Sequence, residues 1–126
     1  MKAQANSNVL TWLDQQLDSN LFYCVVSKAE IEWGIAKLPI GKRKQQLLDS
    51  AKILFEFFDK RCLAYECQAA NAYVDIVQGA KTAGRPMSTE DMLIAAIAQA
   101  NKAVLVTRNI TDFEALGRLD LVNPWI

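Results

Sequence analysis

Three carboxylates lie at the ends of apolar segments, where side chains are free to act on a ligand. Glu30 and Asp112 each follow an apolar run that is typical of a strand, and Asp91 lies near the start of an apolar helical segment. Asn109, three residues before Asp112, adds an amide oxygen. Carboxylates that share a site repel one another unless a cation is bound. The pattern therefore suggests a divalent-metal site, and such ligands favour Mg²⁺ or Mn²⁺.

Each of these acids also has a purely structural explanation. Glu30 is the third residue after Ser27, so the two are spaced as a helix-capping box. Asp91 would be stabilised in a first helical turn by the helix dipole. Asp112 could cap or turn the segment that leads to Phe113. Taken singly, none of the acids distinguishes a metal site from ordinary helix chemistry.

Composition limits the classes of function. The chain has 126 residues, 52% of them hydrophobic, which suits one domain, and its 14 basic residues balance its 14 acidic ones. It has no histidine, which excludes histidine-ligated zinc and Ser-His-Asp catalysis. No apolar run approaches membrane-spanning length, and Cys24, Cys62 and Cys67 show no metal-ligand spacing. We expect a cytoplasmic protein with reduced, mostly buried thiols, and no membrane partner.

The periodicity of apolar residues predicts strands alternating with helices. Helices are predicted at 8–17, 28–37, 42–59, 67–83 and 90–100, and strands at 22–26, 62–65, 103–106 and 119–122. Alternation of this kind implies parallel pairing in a three-layer α/β domain. Ligands of such sheets bind beyond the carboxyl ends of the strands, so the predicted acids can meet at one edge.

The basic side chains nearest these acids are Arg85 and Arg108. Both could hold phosphates. The basic run 37–44 has the composition of a solvated helix start, which is the commoner explanation for such a run.

As an ordered set, four segments of the chain resemble the PIN-domain family, and within it the VapC/FitB-like toxins of toxin–antitoxin pairs. They are Val-Val-Ser-Lys-Ala-Glu-Ile-Glu-Trp-Gly (25–34), Gly-Arg-Pro-Met-Ser-Thr-Glu-Asp-Met-Leu-Ile-Ala-Ala-Ile-Ala (84–98), Val-Thr-Arg-Asn-Ile-Thr-Asp-Phe (106–113) and Val-Asn-Pro-Trp (122–125). The resemblance covers the chain from about residue 9 onward and implies a PIN-like fold with a mainly parallel sheet.

The resemblance also implies a function and a site. Members of the family are metal-dependent endoribonucleases, with Glu30 at the second acidic position and Asp91 at the third. The fourth ligand is Asp112 or Asn109, because members differ at this point. Mg²⁺ or Mn²⁺, an RNA substrate, a cognate antitoxin protein and a homodimer are all implied. Arg108, Arg85 and Ser27 are the candidate contacts to RNA phosphates.

The sequence departs from the family pattern at its N-terminal end. Members begin with a central apolar strand that ends in Asp-Thr-Asn, whose Asp is the first metal ligand, and the present sequence starts at the family's first helix. We therefore expect unpaired strand edges or neighbouring strands that close up. Two functions follow as alternatives, an active ribonuclease or a catalytically impaired remnant that binds partners or dimerises. A segment upstream of this sequence that encodes the strand would restore the first alternative, the active ribonuclease.

Overall fold

The computed structural model describes residues 7–16, 21–58 and 60–124. In these residues helices and strands follow one another in the order that the sequence predicts, apart from one additional short helix. The helices are α1 (Ser7–Asp14), α2 (Val25–Ala36), α3 (Lys42–Phe57), α4 (Cys67–Ala83), α5 (Thr89–Ala100) and α6 (Ile110–Glu114), and the strands are β1 (Tyr23–Cys24), β2 (Cys62–Leu63), β3 (Leu105–Val106) and β4 (Leu121–Val122). The predicted ends of the first and third helices, residues 17 and 59, lie outside the described residues.

The strands form two separate parallel pairs. Strand β1 pairs with β2, with Tyr23 opposite Cys62, and β3 pairs with β4, with Leu105 opposite Leu121. The predicted parallel pairing is confirmed, but the strands are two residues long, shorter than predicted and shorter than the usual five or so. Within the described residues the two pairs have not closed up into one sheet.

The core lies between α4 and α5, which pack along each other. Ile76 of α4 and Ile97 of α5 are fully buried, and small alanines beside them let the two helices approach closely. Phe113, in α6, and Leu116, just after it, belong to the same cluster. The core therefore holds α5, which carries Asp91, rigidly in place.

The bounds of α4 and α5 match the prediction closely, whereas α2 begins earlier than predicted. Its first residue is Val25 and its N-cap is Cys24, so Ser27 lies inside the helix and not at its cap. Residues 25–26 were assigned to a strand because they are β-branched, but in the fold they form the first helical turn. The short helix α6 was not predicted, because five residues show too little periodicity.

The prediction that the thiols are mostly buried is wrong. Cys62 and Cys67 are exposed and Cys24 is half-buried, although all three are free of disulfide bonds as expected. Among the described residues, no helix has the length and apolar character required to span a bilayer.

Candidate functional site

Glu30 lies in the second turn of α2, directly beyond β1. Because α2 begins at Val25 and has Cys24 as N-cap, Ser27 and Glu30 do not form a capping box. The capping-box explanation for Glu30 is therefore excluded. Glu30 is exposed and lines a cleft of about 410 Å³ together with Ser27 and Arg43. The cleft combines a carboxylate, a hydroxyl group and a guanidinium group.

Asp91 lies in the first turn of α5 and is held there by a cap. The Ser88 side chain accepts a hydrogen bond from the backbone N–H of Asp91 at 3.1 Å, as a helix N-cap should. Asp91 and Glu90 both stand in this first turn, where the helix dipole favours negative charge. The dipole explanation thus remains valid for Asp91, and it is compatible with a ligand role.

Glu30 and Asp91 are electrostatic neighbours because α2 packs against α5. The pKa of Glu30 is raised, first by partial desolvation, then by the negative charges of Asp91 and Glu90. Each cause disfavours the ionised form of Glu30 when no cation is bound. These residues therefore form a small acidic cluster, and Glu90, which the sequence reasoning did not select, belongs to it. Its position next to Asp91 in a predicted first helical turn is the sequence feature that could have indicated it.

Asp112 lies in α6, and both of its carboxylate oxygens accept hydrogen bonds. The Arg85 Nη2 donates to one oxygen at 2.7 Å, and the Asn109 Nδ2 donates to the other at 2.9 Å. These two bonds, the one from Asn109 first, lower the pKa of Asp112. Asn109 offers its amide nitrogen to Asp112 in this arrangement, and Arg85 neutralises the charge. Asp112 is thus occupied by partners from its own chain.

The predicted site is divided into two halves in the structure. Glu30 and Asp91 form one half, and Asp112, Asn109 and Arg85 form the other. Asp112 is not among the charges that shift the pKa of Glu30. In the ranges the structure describes, no group of three or more His, Cys, Asp or Glu side chains is close enough to hold a metal ion. Each half contains the predicted residues, but the two are not joined.

The candidate phosphate contacts are distributed over both halves. Arg108 is exposed beside Asn109, and Ser27 is half-buried near Glu30. Arg85 is committed to Asp112 and also borders an apolar cleft of about 260 Å³. Arg43 lines the same cleft as Glu30, although the composition of the basic run 37–44 predicts a solvated helix start.

The two carboxylates Glu30 and Asp91 suit Mg²⁺ or Mn²⁺ as a donor set. They are hard oxygen ligands whose mutual repulsion a cation would relieve, and Mg²⁺ commonly binds through one or two carboxylates while keeping several waters. Asp112 could join such a site only if it gave up its hydrogen bonds with Arg85 and Asn109 and coordinated the ion instead. The residues present therefore fit a weakly held divalent ion.

Comparison with known proteins is consistent with this fold. The model of the PIN domain family matches residues 3–119. The chain is 36% identical over 125 residues to plasmid stability protein StbB of Pseudomonas syringae pv. tomato, covering 98% of the chain and 89% of that protein. It is 35% identical over 127 residues to VapC ribonuclease Y4jK of Sinorhizobium fredii, with the same two coverages.

Solved structures agree with the sequence comparisons. The crystal structure of FitAcB from Neisseria gonorrhoeae superposes with a TM-score of 0.87 at 30% identity, covering 98% of this chain and 89% of that one. The structure of FitAB bound to a DNA fragment gives a TM-score of 0.89 at 29% identity, with coverages of 99% and 87%. The chain therefore belongs to the PIN domain family. Within that family it groups with the VapC- and FitB-like proteins.

Proposed function

We infer that this chain is the toxin of a toxin–antitoxin pair and cleaves RNA as a metal-dependent endoribonuclease. The observation that carries this proposal is the electrostatic proximity of Glu30 and Asp91, whose helices α2 and α5 pack against each other. The similarity to a protein named as a VapC ribonuclease and to one named as toxin FitB supports it. The products would be RNA fragments from hydrolysis of a phosphodiester bond.

Mg²⁺ or Mn²⁺ is the cofactor that these side chains suit. When bound, such an ion polarises a phosphodiester, lowers the pKa of a bound water and stabilises the developing charge. Glu30 and Asp91 would hold it, and Asp112 or Asn109 would complete the set. Ser88 fixes the backbone of Asp91 and thereby the position of that ligand.

Phosphate groups of the RNA would meet cations in both halves of the site. Arg43 and Ser27 line the cleft of Glu30, Arg85 donates to Asp112, and Arg108 is exposed next to Asn109 in the sequence. Arginine forks bind phosphate through two parallel N–H bonds, which orients the strand as well as holding it. The zero net charge of the chain means that this local set must supply the attraction.

A groove between α2 and α3 of this chain suits the binding of an antitoxin. It measures about 760 Å³ and is lined by apolar side chains, with Lys28, Glu32 and Lys52 among its polar members. On α3, Ile53 and Phe57 are 68% and 60% exposed, which is high for side chains of this size. These two exposed apolar side chains on α3 suit an apolar partner. A homodimer and a cytoplasmic location complete the proposal.

RNA cleavage with a metal requirement tests the nuclease. We expect cleavage of single-stranded RNA in Mn²⁺ or Mg²⁺, none in EDTA, and loss of activity in Asp91→Asn. The matched control is Asp49→Asn, an exposed acid on α3 whose neighbour Gln45 can still donate to the new amide oxygen. A protein that leaves RNA intact at saturating Mn²⁺, or an Asp91→Asn variant as active as the wild type, would overturn the proposal.

A second candidate function is a binding or dimerisation module that has lost catalysis. The observation that favours it is the occupied state of Asp112, whose two carboxylate oxygens are both engaged by Arg85 and Asn109. This function predicts no saturable Mg²⁺ binding and retained assembly with an antitoxin. Isothermal titration that detects stoichiometric Mg²⁺ binding lost in Asp91→Asn would count against it.

A further inference from the structure

Trp33 is exposed on α2, one helical turn beyond Glu30. Its side chain is 64% exposed, although tryptophan has a large apolar surface and is highly buried on average. Glu30, Trp33 and Lys37 are spaced i, i+3 and i+7, so they lie along one stripe of the helix. Neighbours three residues apart on a helix have Cβ atoms about 5–6 Å from each other. The open ring therefore lies beside the carboxylate that the proposed nuclease uses.

Lys37 places a positive charge over this ring. Its Nζ lies 5.7 Å from the centroid of the Trp33 ring, within the range of a cation–π contact. Most of the ring is nevertheless open to solvent. With a cation over one face and most of its surface exposed, the ring offers a flat platform on which a nucleic-acid base can stack, next to a charge that can bind a phosphate.

Positive charge continues from Lys37 into the start of α3. Lys42, Arg43 and Lys44 occupy its first turn, where the helix dipole disfavours cations, and this turn contains no acid. Among the residues that the structure describes, Lys42 and Arg43 form no salt bridge. Their mutual repulsion and their repulsion by the dipole would both be relieved by a bound anion. The start of α3 thus has the charge that a phosphate chain requires.

Lys44 joins this basic turn to α2. Its Nζ donates to the backbone oxygen of Ala36 at 3.1 Å, which holds the end of α2 and the start of α3 together across the loop 38–41. Arg43 lines the cleft of about 410 Å³ that also contains Glu30. The basic turn therefore borders the same cleft as the carboxylate, and the open ring lies next to that carboxylate along α2.

Gly34 keeps this cleft open beside the ring. A Cβ added at Gly34 would meet no heavy atom within 4 Å, so packing inside the chain does not require glycine there. Glycine inside a helix is destabilising relative to alanine. Gly34 lines the same cleft as Glu30 and Arg43. Room for a bound chain accounts for a glycine that the fold itself does not need.

The chemistry of this surface favours a single RNA strand over a protein. The groove proposed for the antitoxin takes Lys28 and Glu32 from α2, which lie about 140° and 100° around the helix from Trp33. That groove has apolar walls and both signs of charge, whereas Trp33 is followed by the basic run 37–44. An exposed ring among cations is the combination with which proteins bind single-stranded nucleic acid.

We propose that Trp33 stacks on a base of the RNA substrate. Lys37, Lys42 and Arg43 hold the adjoining phosphates, and the junction of α2 and α3 leads the strand to the acidic cluster. This inference rests on the proposed function in taking RNA as the substrate. Because every base has a face that can stack, the subsite binds single strands with little preference for sequence.

Binding of a short RNA in EDTA, where metal-dependent cleavage does not occur, tests the subsite. The probes are fluorescein-labelled hexauridylate and a labelled abasic sugar-phosphate chain of the same length. We expect Trp33→Ala to weaken hexauridylate binding about tenfold, within the range of one base–aromatic stack, and Trp33→Phe to restore most of the affinity. The abasic chain should bind equally to the wild type and to both variants. Fluorescence anisotropy at low salt measures these affinities.

Two control variants separate stacking from charge and from exposure alone. Lys42→Gln should weaken binding of both probes equally and reduce the steepness of log K against log salt by about 0.7, the value for one phosphate contact of a single strand. Phe57→Ala removes a ring that is 60% exposed at the far end of α3, and should change neither affinity. Unlabelled hexauridylate should quench tryptophan emission in the wild type, and the quenching should be largely lost in Trp33→Phe.

The contrary outcomes identify what else the ring could do. Wild-type affinity of Trp33→Ala for hexauridylate would leave the ring to a protein partner and overturn the subsite. Equal loss of both probes would overturn it too, because the ring would then only support the cations. Trp33 emission that changes on dilution without RNA would show the ring covered by a second copy, with the same consequence.

Failure of the nuclease and failure of the subsite are distinguishable, because cleavage in Mn²⁺ is measured separately from binding in EDTA. A chain that binds hexauridylate through Trp33 but does not cleave RNA would overturn the nuclease alone. A chain that cleaves RNA while Trp33→Ala binds hexauridylate as the wild type does would overturn the subsite alone. A wild type that binds neither probe would also refute the subsite.

Discussion

Replacing Glu30 with glutamine should have opposite effects on stability in the absence and presence of metal. The pKa of Glu30 is raised by desolvation and by the charges of Asp91 and Glu90, so its ionised form destabilises the metal-free fold. Glu30 is exposed, and solvent screening limits the effect to about 0.5 kcal/mol. In EDTA at pH 7 we therefore expect Glu30→Gln to unfold about 2 °C higher than the wild type.

Mg²⁺ should reverse this order if Glu30 is a ligand. A site at about ten times its Kd in free ion stabilises the folded state by about 1.4 kcal/mol, which exceeds the gain from the substitution. The wild type should then be the more stable protein, because the variant has lost a ligand. Thermal unfolding in EDTA and at increasing Mg²⁺ concentrations measures the sign of the stability difference between variant and wild type under both conditions. Glu56→Gln, an exposed change on α3, is the control and should leave both values unchanged.

The pH dependence gives a further check on the same variant. Because the folded-state pKa of Glu30 is raised, its favourable contribution is complete below the unfolded value of about 4.3 and is lost as pH rises through the folded value. The advantage of Glu30→Gln in EDTA should therefore disappear below about pH 4. A variant that is less stable than the wild type in EDTA at pH 7 would refute the repulsion argument. An unchanged response to Mg²⁺ would refute the ligand role.

Two further predictions concern the capping residue and the thiols. Ser88→Ala should lower the free energy of unfolding by about 1 kcal/mol, because the Asp91 amide loses its acceptor, and Ser88→Asn should restore most of it in urea titrations. Alkylation followed by mass spectrometry should modify Cys62 and Cys67 before Cys24, since Cys24 is half-buried and burial raises its pKa. Equal rates at the three thiols would contradict this burial.

The sequence predicts the long helices because their signals are repeated and agree. In α4, apolar residues recur on one face, and Gly84 at its end adopts a left-handed φ of 67°, which glycine accepts readily. In α5, the predicted cap Ser88 is the observed one. Several weak preferences sum to one answer in such helices, so their bounds were predicted closely.

The start of α2 shows where local preference fails. Ser27 is a better N-cap than Cys24 by sequence, yet a cap contributes only about 1 kcal/mol, and packing against α3 and α5 can override that amount. The consequence reaches the site, because the shift of α2 removes the capping explanation for Glu30. The pairing of Asp112 with Arg85 was not predictable either, since 27 residues separate them and only the fold brings them together.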